Sequence, residues 1–332
     1  MNNGIYIYGI IKTSGPQEFG KIGIGDTASQ VLTVEFKDIA AVVSRSPFMV
    51  YDSLAKEKIV KDLVTHQFVI EKVMERFTIL PVKFGTMVET EEEAIQFLEK
   101  GHDLLSNELR KIEAKIELDV VASWELPKIM AAIYRSNAQI QKKQNEIVLQ
   151  GAKVSLEDRV ALGKSIEEAL KAEKNGYQQL ILQTLKEETI DICLHDLAND
   201  EMIFNAAFLL EKKNEERFNQ TVNKLDQKLE NTVNFRIVGP LPPYSFSTIL
   251  LERIDSCRLE EAKKTLGLNG EITDKTVRDT YHQLAQKCHP DKSSGEDTQK
   301  FHLINSAYRT LKTFIENGLM HVEVYRWEKD FR

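Results

Sequence analysis

The sequence predicts an α+β protein in three parts. These are an N-terminal α+β domain over residues 1–116, a second, ferredoxin-like βαββαβ domain over 117–254, and an all-α helical hairpin domain over 255–332. Three observations predict it. The opening residues alternate short β-branched runs with two long amphipathic stretches. The middle of the chain reads strand, helix, strand, strand, helix, strand, the order of a split βαβ unit. After Leu251 only helical patterns remain.

In the first part, Ile5–Ile11 is short, β-branched and aromatic and stops at Ser14-Gly15-Pro16, which reads as a buried strand. Val31–Phe36 alternates apolar and polar residues, and Ile39–Val43 is a compact apolar strand ending before Pro47. A helix is expected over Leu54–Arg76, with Ile59, Leu63, Val64, Ile70, Val73 and Met74 as its apolar stripe. Thr78–Val88 reads as a strand segment interrupted at Pro81 and Gly85. Glu91-Glu92-Glu93 then opens a helix that reaches Ile112, with its carboxylates at the positive end of the helix dipole.

In the second part, Leu118–Trp124 is a strand. Pro127 to about Leu185 is mostly helical, with breaks expected near Gly151 and Asn175-Gly176. Ser155, three residues before Asp158, has the character of an N-cap. Strands follow at Ile190–Leu197 and Met202–Leu210, joined at the turn residues Asn199-Asp200, then a helix at Glu215–Leu229 and a strand at Val233–Val238. In the third part, Leu259–Leu266 stops at Gly267, Asp274 caps a helix running to Cys288, and a third helix carries Phe301, Ile304, Ala307, Tyr308 and Leu311.

Composition narrows the function classes. The net charge is −7, and residues 255–332 carry 13 basic and 13 acidic side chains, so the whole excess lies in residues 1–254. Neither part has a nucleic-acid footprint. Three separated cysteines (Cys193, Cys257 and Cys288) suit a reducing compartment, and no apolar run approaches the roughly 18 residues that span a bilayer. A cytoplasmic protein is expected, with no nucleic-acid or membrane partner and no cofactor.

The sequence names no enzyme. Gly23-Ile24-Gly25 is a bare GxG with no helix after it, so a dinucleotide site is not expected. Cys193 and His195 share one strand face with Asp196 turned away, and no second ligand pair completes a metal site. His66 reads as a packing or capping histidine.

Two sets of motifs carry the function. The run Val277 to Lys292 contains His289-Pro290-Asp291 between two amphipathic helices. One helix presents Val277, Tyr281, Leu284 and Ala285, the other Phe301, Ile304 and Tyr308. Such faces form an antiparallel hairpin with the loop at its tip, and Pro290 stiffens that tip. This region resembles the J domain. The resemblance implies recruitment of a DnaK-type chaperone through His289, Pro290 and Asp291, with Arg278, His282 and Lys287 as the docking face. Asp279 and Gln283 stand where the family is usually basic.

The first 254 residues resemble the gas vesicle GvpL/GvpF family. The resemblance rests on Ile5-Tyr6-Ile7-Tyr8-Gly9-Ile10, Asp38–Ser44, His66, Ile79–Thr86 (the LPxRFGT signature with Lys83 in place of arginine) and Val238–Phe246 (the GPxPPYSF ending). It implies an accessory protein of gas vesicle formation, associated with the vesicle, that binds the hydrophobic shell protein GvpA. On that implication, Pro81, Lys83, Phe84, Gly85, Pro240, Pro242, Pro243 and Tyr244 are candidate GvpA-binding residues. By its physics alone, Gly239–Tyr244 reads first as a rigid chain reversal leaving the last strand, and Pro81–Gly85 reads also as a strand with a bulge.

Overall fold

The computed structural model describes residues 3–327 except 26–27, 50, 52–54, 151–153, 230–231, 254–255, 269, 271, 288–294 and 318–319. The chain forms two compact units. Unit 1 takes Met1–Lys72, Val82–Asn107 and Ile249–Tyr325, and unit 2 takes Val73–Pro81, Glu108–Thr248 and Arg326–Arg332.

Unit 1 is built on β1 (Asn3–Lys12), β2 (Glu18–Gly23), β3 (Ser29–Phe36) and β4 (Ile39–Pro47), hydrogen-bonded in the order β2-β3-β4-β1. β1 is buried on both faces from Ile5 to Ile11, so it reads as a continuous apolar run. β2 was not expected from the sequence. Its residues, Glu-Phe-Gly-Lys-Ile-Gly, lack the clean alternation of a strand, and it exists through pairing with β3. Gly23 lies in β2 because a Cβ there would meet Ser44 Cβ at 2.7 Å. Its role is packing.

Helix α1 (Lys56–Met74) corrects the expected stripe. Ile70 and Val73 are buried, but Leu63 and Val64 are exposed, and the face turned inward is Asp62, His66, Val69, Ile70 and Val73. The inward face departs from the apolar stripe because two of its residues, Asp62 and His66, are polar. β5 (Ile79–Pro81), β6 (Met87–Val88), which pairs with β1, and α2 (Glu91–Lys111) follow.

Unit 2 holds a four-stranded sheet of β7 (Lys115–Trp124), β8 (Asp191–Leu194), β9 (Met202–Glu211) and β10 (Val233–Leu241). Its order is β10-β7-β9-β8 and every neighbour is antiparallel. The first crossover contains α3 (Leu126–Ser136), α4 (Ala138–Gln150) and α5 (Leu156–Lys186), and the second contains α6 (Glu215–Lys228). Ser155 caps α5 as expected, accepting the Asp158 N–H at 3.0 Å. The expected break at Asn175-Gly176 is absent. α5 continues to Lys186, held by the packing of Leu170, Tyr177, Leu180, Ile181 and Leu185 on the sheet, which outweighs the ~1 kcal/mol cost of a helical glycine. A break does occur at Asn137, whose Oδ1 accepts the N–H groups of Gln139 and Ile140. β8 and β9 are joined by residues 195–201, not by a two-residue turn. The core gathers Leu118, Val120, Trp124, Ile203, Phe208 and Phe218, each contributing about 2–3 kcal/mol on burial.

The remaining helices belong to unit 1. They are α7 (Ser256–Leu266), α8 (Asp274–Lys287) and α9 (Gly295–Asn317), packed around Leu259, Leu266, Val277, Ile304, Ala307 and Leu311. Gly267, at φ +71°, closes α7 with a Schellman pair: its N–H reaches the Lys264 carbonyl, and that of Leu268 reaches Lys263. The cap of α8 is Thr273, not Asp274. Thr273 Oγ1 accepts the Thr276 N–H at 3.2 Å, and Thr276 Oγ1 accepts the Thr273 N–H at 3.1 Å, a capping box with threonine in the usual glutamate place. Tyr281 stacks on Tyr308 at 4.2 Å, and its hydroxyl donates to Asn305 Oδ1 at 2.7 Å. This helical set is bracketed by two strands unforeseen from the sequence, β11 (Thr248–Arg253) and β12 (Met320–Tyr325), which pair with each other.

Candidate functional site

The candidate residues expected from the sequence fall in three places: the signature segment at 81–86, the proline-rich segment at 239–247, and the exposed face of α8.

Residues 82–86 are strapped along β1 by backbone bonds. The Val82 N–H donates to the Tyr8 carbonyl (3.2 Å), and the Ile7 N–H donates to that of Thr86 (3.0 Å). Gly85 (φ +86°) donates its N–H to the Tyr6 hydroxyl at 2.9 Å, and a Cβ on it would stand 3.0 Å from the Tyr51 ring. Both the left-handed backbone and the close ring require glycine there. The Tyr6 hydroxyl also bonds His66 Nδ1 at 3.0 Å, Phe84 packs on Tyr51 at 4.7 Å, and Tyr51 donates to the buried Asp62 at 3.0 Å. Burial lowers the His66 pKa to about 4, so the ring is neutral at pH 7. One cluster thus joins three of the signature elements, Tyr6, His66 and Gly85. Of the candidates here, Pro81 is buried, Phe84 and Gly85 are half-buried, and the Lys83 side chain is exposed.

In unit 2, Pro240 is exposed while Pro242 and Pro243 are buried and help line a cavity of about 180 Å³ with Met74, Phe77, Ile79 and Ile116. Tyr244 is half-buried. The end of the segment reaches two buried carboxylates. Ser245 donates its N–H and hydroxyl to Glu117 at 2.8 and 2.9 Å, and its Oγ lies 3.2 Å from His195 Nε2. Burial, and then the charge of neighbouring Asp119, push Glu117 up to about 8. Asp119 is also raised by burial, and its Oδ1 is buried with no hydrogen-bond partner among the described residues. The Ser245 hydroxyl is committed to a carboxylate and buried, so this trio is not arranged as an activated nucleophile. Ser247 donates to Glu108 at 2.9 Å. Burial pushes Glu108 up, but hydrogen bonds from Lys111 and Ser247 and the charges of Lys111 and Arg326 outweigh it, leaving the carboxyl below its usual range. Sequence reasoning missed this carboxylate group, since nothing local marks Glu108 and Glu117 as partners of residues more than a hundred positions away, or Asp119 as a neighbour of His195. The serine within the proline-rich signature was the one available signal.

On α8, Arg278, His282 and Lys287 are all exposed, as are Asp279 and Gln283. Arg278 is paired with Asp274 at 3.2 Å, so part of its charge is neutralised locally. His289, Pro290 and Asp291 lie outside the described residues. Among the described residues no cluster of metal-ligating side chains occurs, and no helix is long and apolar enough to cross a membrane.

Comparison with known proteins matches these features. Residues 4–248 fit the family described as gas vesicle synthesis protein GvpL/GvpF, and residues 264–314 fit the DnaJ domain. The chain is 26% identical over 255 residues to gas vesicle protein F of Nostoc sp., covering 75% of this chain and 100% of the relative. It is 26% identical to gas vesicle protein F of a Streptomyces species, covering 73% and 98%. The fold is similar to the crystal structure of GvpF from Anabaena sp., with TM-score 0.62 and 26% identity over 73% of this chain and 97% of that one. GvpF from Microcystis aeruginosa gives TM-score 0.58 and 25% identity over 73% and 98%. The chain therefore belongs to the gas vesicle GvpL/GvpF family and carries, in addition, a DnaJ domain.

Proposed function

We propose that this protein is a gas vesicle assembly factor, not an enzyme, that binds the hydrophobic shell protein GvpA and recruits a DnaK-type chaperone to it through the J domain. The observation that carries this reading is the presence of both modules, end to end, in one chain. Fusion makes delivery of the ATPase to a bound client effectively intramolecular. A shell subunit exposes large apolar surfaces until it assembles, and such surfaces aggregate when left uncovered. Val60, Leu63, Val64 and Phe68 form an exposed apolar stripe on α1, which supports a hydrophobic client. Among the sequence-derived candidates, the exposed Lys83 and Pro240 are the side chains free to meet GvpA directly. Pro81, Phe84, Gly85, Pro242, Pro243 and Tyr244 shape the segments that present them. The protein acts in the cytoplasm, at the vesicle.

The decisive experiment measures the ATPase rate of a DnaK-type chaperone with this protein and with its His289→Gln variant. Stimulation by the first and not by the second is expected, and equal rates would remove the co-chaperone activity. Pull-down of GvpA tests the client, and failure to enrich it would sink that half of the reading. A second reading, a minor vesicle component with a vestigial J domain, is favoured by the exposed Asp279 and Gln283 on α8, which thin the basic face. A wall component resists stripping of purified vesicles by urea, whereas an assembly factor washes away.

A further inference from the structure

Within unit 2, the two residues that follow β12 are gripped as a ligand would be. The Trp327 N–H donates to the Ser245 carbonyl at 2.9 Å, and the Cys193 thiol donates to the Trp327 carbonyl at 3.3 Å. Both backbone polar groups of Trp327 are thereby held. The Trp327 ring packs on His195 with centroids 5.1 Å apart. The Arg326 guanidinium reaches both oxygens of Glu108, at 3.2 and 3.4 Å, and that residue is only 3% exposed. Trp327 itself is 41% exposed, so the ring lies at the surface and is not a core residue.

These contacts have the parts of extended-peptide recognition. Backbone bonds fix the strand, a buried carboxylate reads a cation, and an imidazole face reads the aromatic ring beside it. The groove and its occupant also come from different parts of the chain. Glu108, Cys193, His195 and Ser245 all lie inside the span matched by the GvpL/GvpF family, whereas Arg326 and Trp327 lie beyond it.

We propose that this groove is a docking site for an extended peptide carrying a basic residue followed by an aromatic one, and that Arg326-Trp327 occupies it in cis as a built-in competitor. A partner chain with the same basic–aromatic pair displaces the segment and takes its backbone bonds. The carboxylate of Glu108 sets the preference for a cation at the first position, and His195 sets that for a ring at the second.

The test uses the full chain with Arg326→Ala and Trp327→Ala together, which empties both subsites, and a fluorescent peptide of sequence Val-Glu-Val-Tyr-Arg-Trp-Glu-Lys-Asp (residues 322–330). By anisotropy, the peptide is expected to bind the emptied chain at least ten-fold more tightly than the wild type. Adding Glu108→Gln weakens that binding at least five-fold, and a scrambled peptide does not bind. Equal binding to wild type and emptied chain, or binding to neither, overturns the proposal and leaves Arg326-Trp327 as a structural anchor only. If the double variant fails to fold, the single Arg326→Ala chain takes its place, and no gain in peptide binding there overturns the proposal equally.

Discussion

The backbone N–H of Lys83 donates to the carbonyl of Ile249 at 2.9 Å, next to a parallel bridge between Val82 and Ile249. The signature segment of the N-terminal sheet is thus bonded to β11, the strand that leads into the J-domain helices. Lys83 makes this contact through its main chain, and its side chain is exposed. Lys83→Ala is therefore expected to change the stability to urea by no more than about 0.5 kcal/mol. A GvpA-binding defect in that variant would then report the lost charge and not a lost fold.

Gly85→Ala behaves differently. The φ of +86° and the 3.0 Å approach to Tyr51 both oppose a side chain. A loss of about 1–3 kcal/mol is expected, read as a lower urea midpoint with an unchanged slope.

His66 gives unit 1 an acid-sensitive core. Its folded pKa of about 4 lies below the ordinary 6.5, so between these values the unfolded chain binds the proton and the folded one does not. Stability is full above pH 6.5 and falls as pH drops toward 4, by up to about 3 kcal/mol. Thermal melts across this range check it, and a flat profile would mean that the ring is not held neutral.

Glu117 acts with the opposite sign in unit 2. Its folded pKa is raised from 4.5 to about 8, so the folded state holds a proton that the unfolded state has released. This group's contribution is fully present below pH 4.5 and is lost as pH rises through 8. Glu117→Gln, which keeps the size and removes the titration, is expected to flatten the alkaline limb of the melting profile.

The charge of α8 tests its proposed role as the docking face for a DnaK-type chaperone. Asp279 is exposed and stands among Arg278, His282 and Lys287. Asp279→Lys is expected to raise the association rate with a DnaK-type chaperone several-fold at low salt, and less at high salt. Stopped-flow association at two ionic strengths measures it. A salt-independent rate would remove α8 as the docking face.

Much of this molecule is legible along the chain because its causes are local. Ser155 caps α5 through a residue three positions away, Gly267 ends α7, and the apolar periods of α8 and α9 pair into the hairpin that carries the J-domain motif. Other features arise only when distant segments meet. α1 buries Asp62 and His66 because Tyr51 and Tyr6 come to satisfy them, leaving Leu63 and Val64 outside. β2 and β11 have weak patterns of their own and are strands because partners complete their hydrogen bonds. The groove joins Glu108 to Arg326 and Glu117 to Ser245 across more than a hundred residues. The sequence by itself determined the family, the added J domain and the helices of that domain. Only the tertiary structure decided which polar side chains are buried, since a carboxylate or imidazole enters a core only where a partner from elsewhere in the chain meets it.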